Sequence, residues 1–200
     1  MRTVIYIHGF AGSGHGVKAE IFRRHYRKKG VPFLAPSLPY IPDLAADTLE
    51  EIVACCGDVG VVGSSLGGFY AARLAKRLGI PAVLINPAMR MSPALSSLEG
   101  FQTHYYDLSR FEWTPQHKAS LRRMNEELGE NLSDLDVLLL LKTGDEVLDY
   151  RDALHRFDGL PPERIVVEEG GDHSFADIET GLPMIDAFFG RFRKNRPAAG

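Results

Sequence analysis

At 200 residues the chain has the length of one domain, long enough to bury a core without disulfide staples. Hydrophobic residues at 44% and charged residues at 24% exclude disordered, collagen-like and coiled-coil classes. A net charge of −3 gives no general attraction to nucleic acid or an anionic membrane. The two cysteines, Cys55 and Cys56, are adjacent and cannot close a loop, so they read as reduced thiols in a cytoplasmic protein. The opening Met1-Arg2-Thr3-Val4-Ile5-Tyr6-Ile7-His8 has the pattern of a strand and not of a signal peptide. No apolar run approaches the roughly 18 residues of a membrane span.

Along the chain, short apolar runs alternate with amphipathic helical patterns. Strands are predicted over residues 4–7, 32–35, 59–62, 82–85, 137–141 and 164–167. Most are continuous apolar runs, as expected of strands buried on both faces of a parallel sheet. Between them, Ala45, Leu49, Ile52, Val53 and Cys56 follow helical spacing, as do Leu66, Tyr70, Leu74 and Leu78. Ile178, Leu182, Ile185, Phe189 and Phe192 mark a last helix. Strand and helix in alternation predict an α/β fold with right-handed crossovers.

One stretch breaks this rhythm. From Asn86 to Asp136 no strand pattern is evident. Thr114 and Pro115 there open a helix carrying Leu121, Met124 and Leu128. A connection this long inside a compact domain is usually a lid or functional insertion. It is read as a cap over the end of the sheet, with Phe101, Tyr105, Tyr106, Phe111 and Trp113 as an apolar wall over the site.

The sharpest chemical signal is Gly63-Ser64-Ser65-Leu66-Gly67-Gly68, directly after one predicted strand and before a helix. This is the G-x-S-x-G elbow in its required context. Ser65, not Ser64, has glycines two residues away on both sides. A serine nucleophile needs a base, and there are seven histidines. His25 and His155 fall within helical patterns. His173 follows the last strand in Gly170-Gly171-Asp172-His173-Ser174-Phe175, where a loop can return to the carboxyl end of the sheet. Asp145, in Thr143-Gly144-Asp145-Glu146-Val147, is the first acid after the preceding strand. Glu146 should point the other way, Asp149 should cap a helix, and Asp172 is read as a loop cap. Ser65, Asp145 and His173 stand in the chain order of an α/β-hydrolase sheet.

Acyl transfer also needs oxyanion donors. The backbone N–H of Leu66 and that of Phe10, in the Gly-rich loop after His8-Gly9, are the candidates. His8 is expected to shape that loop, and His15 to decorate it. The loop lacks G-x-G-x-x-G, and no acid for a ribose follows the second strand, so a dinucleotide site is excluded. No P-loop pattern or zinc-ligand spacing occurs. Arg23, Arg24, Arg27, Lys28 and Lys29, and the tail Arg191, Arg193, Lys194 and Arg196, read as solvated helix faces.

Five segments together resemble the YqiA-like family of small bacterial serine esterases in the α/β-hydrolase superfamily. They are His8-Gly9-Phe10, residues 61–68, Asn86-Pro87-Ala88 with Arg90, residues 143–151, and Gly171-Asp172-His173. The block at 143–151 is the most family-specific. The resemblance implies a Ser65–Asp145–His173 triad and hydrolysis of carboxylic esters or acyl thioesters. Residues 91–136 carry no family pattern, so a substrate range does not transfer.

The expected fold is a minimal α/β hydrolase in one domain spanning 1–200. It has a six-stranded, mainly parallel sheet flanked by helices, ordered 4-3-5-6-7-8 in superfamily terms, with a helical cap insertion at about 89–136. The expected substrate is a small-molecule acyl ester or thioester, with Tyr105, Tyr106, Phe111 and Trp113 as contacts. No cofactor, metal, nucleic acid or membrane span is expected. The alternatives are a catalytically silent or protein-binding hydrolase fold, and a serine peptidase.

Overall fold

A computed structural model of the chain describes residues 3–90 and 97–193. In chain order the elements are β1 (Thr3–Ile7), α1 (Val17–Lys28), β2 (Phe33–Leu34), α2 (Pro42–Cys56), β3 (Val59–Ser64), α3 (Leu66–Leu78) and β4 (Ala82–Ile85). Then come β5 (Gly100–Thr103), β6 (Arg110–Trp113), α4 (Pro115–Leu128), β7 (Val137–Lys142), α5 (Tyr150–Arg156), β8 (Ile165–Glu168) and α6 (Leu182–Arg193). Among the described residues the main sheet is six-stranded, ordered β2-β1-β3-β4-β7-β8, with every neighbour parallel. That is the expected order.

The continuous apolar runs serve two cores at once, because successive strand side chains point to opposite faces. Val4, Tyr6, Leu138 and Leu140 meet α1 and α6 on one face. Ile5, Ile7, Leu139 and Leu141 meet α2, α3 and α4 on the other. β2 is shorter than expected. It is an edge strand that pairs only through Phe33 and Leu34, beside a proline that cannot donate to the ladder. Arg164 belongs to a 3-10 turn, Pro162–Arg164, ahead of β8. Ile178 likewise lies in the 3-10 turn Ile178–Gly181, so α6 starts four residues later than the periodicity suggested. Leu78 is exposed, because α3 ends there at left-handed Gly79.

The insertion divides in two. Its helix is capped by Thr114, whose hydroxyl accepts from the His117 N–H while the His117 ring accepts from the Thr114 N–H. Helix α4 buries Leu121, Met124 and Leu128 alongside α2, where Ser120 bonds Asp43 at 2.6 Å. It therefore extends a flanking layer of the sheet. Ahead of it lies an antiparallel hairpin, β5–β6, in the stretch where no strand pattern had been evident. Its alternation is real but only four residues long per strand: Phe111 and Trp113 face inward, Arg110 and Glu112 outward. The hairpin loop reaches the Gly-rich loop after β1, where the Tyr105 N–H donates to the Ala11 carbonyl at 3.0 Å. Lys194 and Arg196 of the basic tail lie outside the described residues.

Candidate active site

Ser65 sits between β3 and α3 at φ 58°, ψ −124°, a backbone state that side-chain-bearing residues rarely adopt. The turn is locked. The Ser65 N–H donates to the Ile85 carbonyl, and the Ser65 carbonyl accepts from Gly68, Phe69 and Ala88. The flanking glycines are required by close approach. A Cβ at Gly63 would overlap the Gly67 carbonyl, and one at Gly67 would overlap the Ile7 carbonyl. Ser64, the last residue of β3, is 3% exposed and, unlike Ser65, makes no hydrogen bond to His173.

The loops after β7 and β8 are stitched together by Gly144 N–H to Gly170 carbonyl, and by Gly170 N–H to the Thr143 hydroxyl, both 2.9 Å. This brings Asp145 and His173 to Ser65. Asp145 Oδ2 is 2.8 Å from His173 Nδ1, and His173 Nε2 is 3.0 Å from Ser65 Oγ. A carboxylate only accepts, so Nδ1 carries the proton and the neutral ring accepts at Nε2 from the serine hydroxyl. The Asp145 side chain is 2% exposed and is oriented by the N–H groups of Val147 and Leu148 at 2.9 and 2.8 Å. Glu146 does diverge from Asp145, but it has a partner that the sequence did not suggest. It accepts the His173 backbone N–H at 2.9 Å, and that bond holds its carboxyl below the usual range. Asp149 caps α5 by accepting from the Arg151 N–H. Asp172 accepts the Ser174 hydroxyl at 2.8 Å, which lowers its pKa.

His8 Nδ1 donates to the Gly9 carbonyl at 2.8 Å, while Nε2 accepts from the Leu38 N–H at 2.9 Å. It is a neutral brace between the loops after β1 and β2, and burial lowers its pKa. The braced loop passes directly over Ser65: a Cβ on Gly9 would stand 3.1 Å from that of Ser65. The N–H of Leu66 opens α3 and has no intrahelical acceptor. The Phe10 N–H has no acceptor among the described residues.

A cleft of about 710 Å³ opens over these groups. Ser65, His173, Phe10, Leu66, Leu98 and Tyr105 are among its walls. Of the aromatic contacts expected, the structure brings only Tyr105 to the cleft. Phe111 and Trp113 are 4% and 1% exposed. They lie in the core and support the Phe10 ring edge-on, at 5.6 and 5.0 Å between centroids. Tyr106 stacks outside on His15, and Phe101 lies under Arg110.

Three residues were given no role by the sequence reading, although Asn86 stood in one of the resembling segments. Asn86, buried at φ 39°, donates to the Asp172 and His173 carbonyls at 3.1 and 3.3 Å and accepts the Lys142 N–H at 2.9 Å. Lys142 ends β7 with its ammonium bound to Glu168 and Asp177, over the Phe175 ring. Burial opposes its charge, but the two carboxylates outweigh that and raise its pKa. A lysine closing a run of leucines was the available signal. Lys18 lines the cleft and had no signal at all. Among the described residues no His, Cys, Asp or Glu cluster could hold a metal ion, and no helix is long and apolar enough to cross a membrane.

The sheet order, the crossovers and the strained serine turn are those of the α/β-hydrolase fold. Solved structures agree across nearly the whole chain. A monoacylglycerol lipase of Paleococcus ferrophilus superposes with TM-score 0.71 at 18% identity, covering 93% of each chain. Est1E of Butyrivibrio proteoclasticus, solved with ferulic acid bound, gives 0.69 at 16% identity, covering 96% of this chain and 89% of its own. Mouse alpha/beta hydrolase domain-containing protein 10 gives 0.69 at 18% identity, covering 95% and 90%. The chain itself belongs to UPF0227, described as an uncharacterised protein family, whose pattern matches residues 3–190. This agrees with the YqiA-like resemblance. UPF0227 proteins of Yersinia enterocolitica and Serratia proteamaculans are 24% and 25% identical to it, each aligned over 92% of this chain and 97% of the relative.

Proposed function

We propose that the chain is a serine hydrolase that cleaves carboxylic esters or acyl thioesters of small molecules. The observation that carries this reading is the hydrogen-bonded line Ser65 Oγ–His173 Nε2 and His173 Nδ1–Asp145, at 3.0 and 2.8 Å, open to a cleft. In the reaction, Ser65 Oγ bonds to the substrate carbonyl carbon as its proton passes to His173 Nε2. The N–H groups of Phe10 and Leu66 stabilise the resulting oxyanion. His173 then gives its proton to the departing alkoxide or thiolate, leaving an acyl-Ser65 ester. Water, deprotonated by His173, attacks that ester. The acid leaves, and the proton returns to Ser65. Asp145 holds the imidazole in the useful tautomer and stabilises its cation. The lipase and the ferulic acid-bound relative of the same fold support an acyl ester as the substrate class.

The test is intact-mass and peptide mapping after treatment with a fluorophosphonate, alongside hydrolysis of a short-chain nitrophenyl ester. One adduct is expected, on Ser65. Ser65→Ala should lose several powers of ten in rate, while Ser64→Ala retains most of it. An adduct on another residue, or full turnover by Ser65→Ala, overturns the reading.

A further inference from the structure

Among the described residues that line the cleft, Lys18 is the one Lys or Arg, and no Asp or Glu is present. Its neighbours there include Val17, Ile21, Tyr6 and Phe175, which are apolar or uncharged. The Lys18 ammonium donates to the carbonyl of Ser174, the residue after His173, so it stands on the same rim as the base. That contact uses one of its three donors. The carboxylates that feel its charge are engaged elsewhere. Asp172 holds the Ser174 hydroxyl at 2.8 Å, and Asp145 holds His173 and the N–H groups of Val147 and Leu148. Loss of hydration in the cleft lowers the Lys18 pKa to about 8, against the pull of Asp172 and Asp145. At neutral pH it is still mostly a cation, partly stripped of water and, among the described residues, in ion-pair contact with no carboxylate. An anionic oxygen would supply a charge-assisted hydrogen bond at that point.

We propose that Lys18 forms an anion subsite, so that the ester or thioester taken by this cleft carries a second, anionic oxygen group, a carboxylate or a phosphate. The proposal rests on reading the cleft as an ester-cleaving site. Its competitor is a purely structural role, in which Lys18 ties α1 to the loop of His173.

The comparison is between the nitrophenyl ester of valerate and the mono-nitrophenyl ester of glutarate, which matches it in chain length but ends in carboxylate. A phosphonate-ended analogue separates the two anion sources. The wild-type protein should favour an anionic ester at least tenfold in kcat/KM. Lys18→Met should lower that ratio at least tenfold, chiefly through KM, and Lys18→Arg should restore most of it. An unchanged ratio in Lys18→Met, with both esters slowed alike in kcat, overturns the subsite and leaves the structural tie. A second readout needs no turnover. In Ser65→Ala, NMR titration should show monomethyl glutarate binding at least tenfold more tightly than methyl valerate, and adding Lys18→Met should abolish that preference. Anion binding without any ester turnover would sink the hydrolase reading and keep the subsite. Turnover without anion preference would do the reverse.

Discussion

Asp145 and Glu146 are neighbouring carboxylates with unlike tasks, and the difference is one of direction. Asp145 faces the imidazole from a nearly closed pocket, whereas Glu146 is exposed and takes the His173 main-chain N–H. In the proposed mechanism Asp145 orients the imidazole, and loss of such an acid frees the ring to adopt the wrong tautomer, at a cost of about ten-thousand-fold in serine proteases. Asp145→Asn is therefore expected to fold and to lose at least a hundredfold in kcat. Glu146→Gln, which keeps an acceptor oxygen for His173, should lose far less. Asp149→Asn should be nearly silent, because Asn caps a helix as well as Asp. Steady-state kinetics of the three variants check the assignment. It fails if Asp145→Asn keeps wild-type turnover while Glu146→Gln collapses.

At the scale of elements, strand β6 matters through what it holds. Trp113 and Phe111 fill core space behind Phe10, so their truncation should act on stability first. Trp113→Ala should cost about 3–5 kcal/mol in urea unfolding. The buried Trp113 Nε1 has no hydrogen-bond partner among the described residues, so Trp113→Phe should cost well under that, since an unpaired buried N–H is itself unfavourable. Equal losses for the two variants would contradict this. Tyr105, at the mouth of the cleft, is the aromatic of the insertion whose replacement by Ala should shift acyl-length preference. A methylene in such a site is worth about 1–3 kcal/mol. The elbow is similarly unforgiving. Gly67→Ala places a methyl against the Ile7 carbonyl of β1 and should destabilise by at least about 1–3 kcal/mol.

Over the whole molecule, acid stability should fall in two stages. Burial lowers the pKa of His8, which is neutral in the folded state. The unfolded chain takes up that proton near its ordinary value of about 6.5. Between the two values the unfolded state binds more protons, so stability is complete above about pH 6.5 and declines as pH falls through that window. The carboxylates of Asp172 and Asp177, held low by the Ser174 hydroxyl and the Lys142 ammonium respectively, keep their contribution above their unfolded value. They lose it only below about pH 4. His117, whose pKa burial also lowers, shares the His8 window. Urea midpoints at pH 7.5, 5.5 and 3.5 should show both steps; His8→Gln should shrink the first, and His8→Gln with His117→Gln should remove it. A first step that persists undiminished in the double variant would place it on another group.

What was legible from sequence was whatever depends on neighbours in the chain. Continuous apolar runs marked the buried strands, because a parallel strand covered on both faces needs no polar alternation. The glycines around Ser65 marked the elbow, because only a missing Cβ lets β3, α3 and β1 approach so closely. Asp145 and His173, which the structure sets in line with Ser65, stood out as candidates because both follow strands at the carboxyl end of the sheet. The caps at Thr114 and Asp149 were read from the same local logic. Tertiary structure decided what depends on distant partners. It turned Phe111 and Trp113 into the core, made Asn86 and Lys142 a brace for the His173 loop, and gave Glu146 a main-chain donor. It also set Lys18 in the wall of the cleft. A short alternating strand, a buried amide or a single lysine has no period along the chain. Its surroundings exist only once the loops from six strands are gathered at one edge of the sheet.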